Sequence, residues 1–218
     1  MKKRQLFILV GPPGSGKGTQ ADLLQKELNI NYYSVGEILR KEVIEKTELG
    51  KEVSPYLKTG KLVPDSVIAK IMLSKLKKSK RSLIFDGFPR NLNQTKLLDK
   101  ELENIDIQKV MIEITLPSSK VLERILGRRY CVCGKTYHQK YNPSKKKGIC
   151  DRCGNKLKTR SDAKPEVIND RLEIYSKQTK PIISFYKKHE GYVYRQVNGN
   201  KTIEEVHINL MKLLKGIK

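Results

Sequence analysis

A chain of 218 residues with 38% hydrophobic residues is long enough for one sizeable core and an insertion or two. No apolar run approaches the length of a helical membrane span, which excludes that class. The net charge of +22 invites a nucleic-acid reading. However, the Lys residues are spread along the chain, with no RNA-recognition signature and no aromatic-interleaved basic stripe, so a solvated Lys-rich surface is expected instead.

The start, "MKKRQLFILVGPPG", has a basic end and an apolar stretch, like a leader peptide. That stretch is only five residues long, and no small-residue cleavage site follows it. No targeting segment is read, and a cytoplasmic location is expected.

Leu6–Val10 has no polar interruption and predicts a buried parallel strand. It runs into "GPPGSGKGT" (Gly11–Thr19), and Ala21, Leu24 and Leu28 then recur at helical spacing over Thr19–Leu28. Strand, Gly-rich loop and helix are the setting of the phosphate-binding pattern G-x-x-x-x-G-K-[ST]. Gly11, Gly14, Gly16 and Gly18 let backbone N–H groups approach an anion closely, and Lys17 adds a point charge. One position departs from the pattern. Gly18 follows the Lys, and the hydroxyl comes one residue late, at Thr19.

Further along, "SVGE" (Ser34–Glu37) predicts a capping box opening a small helical segment, about Ser34–Val63, that ends in the turn "KTGKLVP". Ser82–Phe85 reads as a second strand, leading into "LIFDGFPRNLNQ". Asp86 ends that strand, where a P-loop protein places the carboxylate that organises Mg²⁺. Arg90 projects a guanidinium past it, and Gln94 offers an amide one turn later. Val110–Thr115 and Tyr192–Val197 are further strands. "TIEE" (Thr202–Glu205) caps a last helix with Ile203, Val206, Leu210, Leu213 and Leu214 on one face. Strands separated by helical patterns predict an α/β fold with a parallel sheet.

The segment of about Gly127–Ala163 is polar, Lys-rich and holds all four cysteines: Cys131 and Cys133, then, sixteen residues on, Cys150 and Cys153, each pair followed by Gly. This pattern points to zinc rather than disulfides, with free thiols or a redox pair as the alternative. The first pair is C-x-C, one residue shorter than a standard knuckle, and His138 is a minor candidate ligand.

"GPPGSGKGT", "SVGEILR", "GKLVPD", "DGFPRNLNQ", "GRR", "TRSD" and "NDRL", in this order, resemble adenylate kinase of the long-lid bacterial type over nearly the whole chain. The resemblance implies a P-loop kinase fold: a central parallel sheet flanked by helices, with a small helical AMP-binding insertion and a Cys-containing lid. It implies a core of residues 1–33, 64–126 and 164–218, an AMP-binding subdomain at 34–63 and a lid at 127–163. The reaction implied is Mg²⁺-dependent transfer of the terminal phosphoryl of ATP to AMP, giving two ADP. Another monophosphate acceptor, or GTP as donor, is the alternative. A nucleotide-gated nucleic-acid-binding protein would not need the DGFPR segment.

Residue by residue, the resemblance assigns Lys17, Arg90, Arg128, Arg160 and Arg171 to catalysis. ATP falls to Gly14, Ser15, Gly16, Lys17, Gly18, Thr19, Arg124, Arg128, Thr136, Tyr137 and Lys201, with Tyr141 beside the lid contact. AMP falls to Val35, Arg40, Lys61, Leu62, Val63, Gly87, Phe88, Pro89, Arg90, Gln94, Arg160 and Arg171. Asp86 would organise Mg²⁺, and Cys131, Cys133, Cys150 and Cys153 would hold structural Zn²⁺. A monomer is implied, with no nucleic-acid or membrane partner. Two positions differ from the family pattern: Val35 stands where Thr is usual, and Ala163 stands where a second Asp is usual.

Overall fold

Leu6 to Val10 are all buried, and strand alternation sends Leu6, Ile8 and Val10 into one core and Phe7 and Leu9 into another. A strand covered on both faces belongs inside a parallel sheet. The computed structural model describes residues 3–160 and 162–217. Met1, Lys2, Ser161 and Lys218, which enter the leader-like start, the TRSD motif and the outer core boundaries, lie outside the described residues.

The strands are β1 (Gln5–Val10), β2 (Asn31–Ser34), β3 (Leu83–Asp86), β4 (Gln108–Thr115), β5 (Arg128–Tyr130), β6 (Thr136–His138) and β7 (Tyr192–Asn198). Five of them form one parallel sheet in the order β2-β3-β1-β4-β7, and β5 and β6 form a separate antiparallel pair. The helices are α1 (Lys17–Leu28), α2 (Val35–Ile44), α3 (Glu48–Thr59), α4 (Asp65–Lys78), α5 (Leu92–Leu102), α6 (Ser118–Leu126), α7 (Pro165–Ile174), α8 (Lys180–Lys188) and α9 (Ile203–Lys215). A π-helical turn, Tyr175–Thr179, joins α7 to α8.

One face of the sheet packs on α4, α5 and α8 through Met72, Leu76, Leu98, Ile182 and Tyr186; the other packs on α1 and α9 through Ala21, Leu24, Val206 and Leu210. Each large apolar side chain buried this way contributes about 1.5–3 kcal/mol. Register then places the site. Leu9 of β1 lies opposite Asp86 of β3, so the phosphate loop and the acidic strand end emerge side by side at the carboxyl edge of the sheet.

The four strands expected from sequence are present with ends shifted by one or two residues, and α1 begins at Lys17 rather than Thr19. The Thr202 box forms in both directions. The Ser34 box does not: the hydroxyl of Ser34 caps nothing in α2. Ser34 is the buried last residue of β2, and its side chain turns toward Tyr32. Strand pairing therefore takes the residue that a free helix start would have used.

Candidate active site

The loop after β1 enters α1 through Gly16, whose φ of 95° only glycine adopts cheaply. No side chain among the described residues caps the start of α1, so its first N–H groups face the loop's concavity. Lys17 Nζ donates to the carbonyls of Gly11 at 2.8 Å and Pro12 at 3.0 Å. Burial lowers its pKa to about 8; Asp86 works against that, and Arg90, Arg128 and Arg171 add to it.

Past Asp86 the chain turns at Gly87, with the peptide between Phe88 and Pro89 cis. Arg90 Nε donates back to Gly87 O at 3.1 Å, and its own carbonyl accepts from Thr179 Oγ1 at 2.8 Å. Gln94 is buried and fixed at both ends: Oε1 accepts from Arg90 N at 2.8 Å, and Nε2 donates to Asp65 Oδ1 at 2.7 Å. Asn91 and Asn93 also donate to Asp65, and these bonds outweigh burial and hold its carboxyl below the usual range.

Two adjoining hollows open here. One, of about 560 Å³, is lined by Val35, Arg40, Lys61, Leu62, Val63, Gly87, Arg90, Gln94, Arg160 and Arg171. The other, of about 540 Å³, reaches Lys17, Pro89, Arg90 and Arg171. Apart from Lys17, which is expected on ATP and lines this hollow rather than the wider cleft, these are residues expected to hold AMP, with one qualification. The Phe88 ring is fully buried against Phe85, so only its backbone can reach a ligand.

A wider cleft of about 1020 Å³ lies on the other side of the phosphate loop. Gly14, Ser15, Gly16, Thr19, Arg124, Arg128, Thr136, Tyr137 and Lys201 line it, together with Tyr141. Arg124 lies over the Tyr141 ring at 5.0 Å, giving the cleft a flat cationic and aromatic wall. Tyr137 borders the cleft, but its hydroxyl points away from it toward the cysteines, where it accepts from Asp151 N at 2.8 Å. Gly18 is not on this wall; it faces Tyr32 and Asp86.

Between the clefts the cations converge. Burial lowers Arg40 and Arg171 to about 10, and it lowers Arg90 and Arg128 as well. Asp162 is the carboxylate that answers them. Arg160 reaches it with two bonds, at 2.9 and 2.7 Å, and Arg171 with one at 2.8 Å. Burial would raise Asp162, and these guanidiniums hold it below its ordinary value instead. A single Asp therefore anchors both arginines although residue 163 is Ala.

In the hairpin region the four cysteine sulfurs lie within 4.8 Å of one another, so the C-x-C spacing does not pull either member away. Cys131 Sγ is 3.3 Å from Cys153 Sγ, and Cys133 Sγ is 3.6 Å from Cys150 Sγ. Arg152 N and Asn155 Nδ2 point at the sulfurs of Cys150 and Cys153, as donors to thiolates do. Soft sulfurs in this cluster fit a tetrahedral divalent metal. His138 stands outside the cluster, its Nδ1 accepting from the N–H groups of Lys140 and Tyr141.

Several site residues have no signal in sequence. Thr179 and Tyr175 line the inner hollow from the π-helical turn; Asp65 does stand in the GKLVPD stretch, but its bond to Gln94, 29 residues away, is invisible there. Tyr32 donates to Asp86 Oδ2 at 3.3 Å from a strand with no apolar run to announce it.

The model of the adenylate kinase family matches residues 9–191. The adenylate kinase of Caldanaerobacter subterraneus subsp. tengcongensis is 44% identical, covering 96% of each chain. That of Clostridium botulinum strain Hall is 43% identical, over 95% of this chain and 97% of the relative. That of Methanothrix thermoacetophila is 41% identical over the same shares. With a P-loop, a DGFPR turn and converging arginines at one sheet edge, and relatives matched nearly end to end, the chain belongs to the adenylate kinase family.

Proposed function

We propose that this protein catalyses the reversible transfer of the terminal phosphoryl group of ATP to AMP, giving two ADP. The observation that carries this reading is the set of cations between two clefts. Lys17, Arg40, Arg90, Arg128 and Arg171 crowd together, and burial pushes each below its ordinary pKa. A chain of phosphates laid between them removes that penalty. A phosphate oxygen of AMP is already anionic, so attack on the terminal phosphorus of ATP needs no general base. The new P–O bond forms as the bond to the ADP oxygen breaks. What remains is positioning and neutralising charge, which planar, multidentate guanidiniums do well.

In this reading the wide cleft takes ATP. Arg124 and Tyr141 flank its base, and the phosphate loop takes its phosphates. The paired hollows take AMP, with Arg40 and Arg90 on its phosphate and Gln94 and residues 61–63 near its base. Residues 34–63 and 127–163 act as flap and lid on a core made of the rest. Adenylate kinase is itself a standard example of lid closure over bound substrate, so that motion follows from the family. Asp86, a hard oxygen donor at the strand end beside the loop, fits an Mg²⁺ shell. Mg²⁺ would neutralise charge on the transferring phosphates. The four sulfurs would hold Zn²⁺ as a structural ion. One chain completes both clefts, which supports a monomer, and thiols kept for a metal suit the cytoplasm.

A coupled assay with AMP, CMP, UMP and GMP as acceptors, and ATP or GTP as donor, tests the reading. AMP with ATP should give the highest kcat/KM; a clear preference for a pyrimidine monophosphate or for GTP would replace it.

A further inference from the structure

In most P-loops the residue after the Lys carries a hydroxyl that helps to hold Mg²⁺. Here that residue is Gly18, and the structure shows what occupies the space beside it. A Cβ at residue 18 would stand 3.4 Å from the Tyr32 phenol oxygen and 3.8 Å from Asp86 Oδ2. A Cβ there would be in ordinary contact with both oxygens, and a hydroxyl on it would compete with the phenol for the carboxylate.

Tyr32 reaches the spot from the neighbouring strand. It lies opposite Ile84 in the β2–β3 register, two residues before Asp86, so Tyr32, Ile84 and Asp86 project to the same face of the sheet. The ring lies against the core on that face and carries its hydroxyl forward to the carboxylate. Asp22 and Glu37 also face the phenol, so the Tyr32 hydroxyl is a neutral donor among acids.

We propose that Tyr32 is a positioning residue for the metal site: from strand β2 its phenol donates to Asp86 Oδ2 beside Gly18, at the place where other P-loops carry a hydroxyl on the loop itself. With Oδ2 accepting from the phenol, the carboxylate's rotation is restricted, and Oδ1 would remain to accept from water bound to Mg²⁺. The inference rests on the reading of Asp86 as the Mg²⁺-organising group.

The test uses the full-length protein saturated with a non-hydrolysable ATP analogue, with Mn²⁺ affinity read by electron paramagnetic resonance. Tyr32→Phe deletes one oxygen, and Mn²⁺ affinity should fall roughly tenfold, the low end for loss of an outer-shell partner. Affinity for the metal-free analogue and the melting temperature should stay as in the parent. Asp86→Asn should also weaken Mn²⁺, and Tyr32→Phe should add nothing in that background. If Asp86→Asn weakens Mn²⁺ and Tyr32→Phe does not, this inference fails alone. If Asp86→Asn has no effect, the reading of Asp86 fails, and the inference with it. An equal loss of metal-free binding would show that Tyr32 shapes the loop instead, which also overturns the proposal. Should Tyr32→Phe not fold, Tyr32→His serves: its shorter ring stops short of Asp86, so Mn²⁺ affinity must still fall, and unchanged affinity overturns the proposal.

Discussion

The hollow assigned to AMP and the cleft assigned to ATP meet at the phosphate loop but are fixed by different means. Around the hollow, polar groups are locked by one another and by the sheet. Gln94 is held by Asp65 and Arg90 N, and Arg90 by Gly87 and Thr179. The cleft has core walls in the loop, α1, Arg124 of α6 and the start of α9. Its other wall hangs from the hairpin region, whose own core is Cys131, Tyr137 and Cys150, with Cys133 and Leu157 partly buried beside them. So small an apolar cluster cannot order a segment of this length unaided. A metal cross-link through the four sulfurs would do so, and it would let the segment move as one piece, as the proposed lid requires. Under the proposed assignment, acceptor recognition draws on the main core, whereas donor enclosure depends on a separately stabilised part.

Lys17 lines the inner hollow and follows directly on Gly16 of the cleft wall, at the junction of the two regions, so its loss gives the largest effect. Lys17→Met should lower kcat by roughly 10²- to 10³-fold, the scale for losing one preorganised donor, with little change in stability. Single-turnover kinetics check this, and a variant keeping a third of the parent's turnover would refute the role.

Next in size, removing the metal should break the comparison on one side only. Chelation, or Cys150→Ser, should lower the melting temperature and raise KM for ATP several-fold, leaving KM for AMP within about twofold. Hydrogen exchange should speed up over residues 127–163 and not in β1, β3 or β4. Native mass spectrometry of protein purified without chelator should show one zinc; apo protein alone would rule zinc out.

How much of this is legible in sequence follows the same division. Leu6–Val10, the phosphate loop and DGFPR carry local signals, because an uninterrupted apolar run and a glycine-rich turn are dictated by their own residues. The cysteines are legible too, although their spacing could not show that C-x-C still brings all four sulfurs together. What sequence hides is pairing at a distance. Strand β2, "NYYS", has no apolar run, and it exists because it pairs with β3. Its last residue, Ser34, is thereby diverted from the capping box its sequence suggests. Thr179 reaching Arg90 O and Asp162 joining Arg160 to Arg171 are likewise products of the fold, with no periodicity to announce them.

Charge gives a smaller but signed effect. The folded pKa of Lys17 is about 8 against an ordinary 10.5. Between those values the unfolded chain binds a proton that the folded protein lacks, so this group makes stability rise with pH through that window. Phosphates placed beside Lys17 raise its pKa again. ATP binding near pH 9 should therefore take up a proton, up to about one per site, and almost none at pH 7. Calorimetry in buffers of different ionisation enthalpy measures the uptake. It should vanish in Lys17→Met and be smaller for AMP alone; equal uptake in the variant would assign the proton elsewhere.

The smallest effect concerns Val35, the first residue of α2, which lines the AMP hollow and also packs into the main core. The family pattern expected from sequence has Thr there, and Val has nearly that shape without a donor or acceptor. The backbone around it should be unaffected by the difference, and the phosphate end, with Arg40 and Arg90, should bind as before. Base reading is left to Gln94, whose carboxamide is already held at both ends, and to backbone near Val63. One neutral hydrogen bond is worth about 0.5–1.5 kcal/mol, so Val35→Thr should sharpen the preference for AMP over CMP, UMP and GMP by roughly 2- to 13-fold. The gain should come mainly through KM, because the bond forms in ground and transition states alike. Val35 also packs in the core, so the measurement pairs kcat/KM for all four acceptors with the melting temperature. A hydroxyl turned inward would lower stability and leave the four ratios unchanged, and that outcome would remove residue 35 from base recognition.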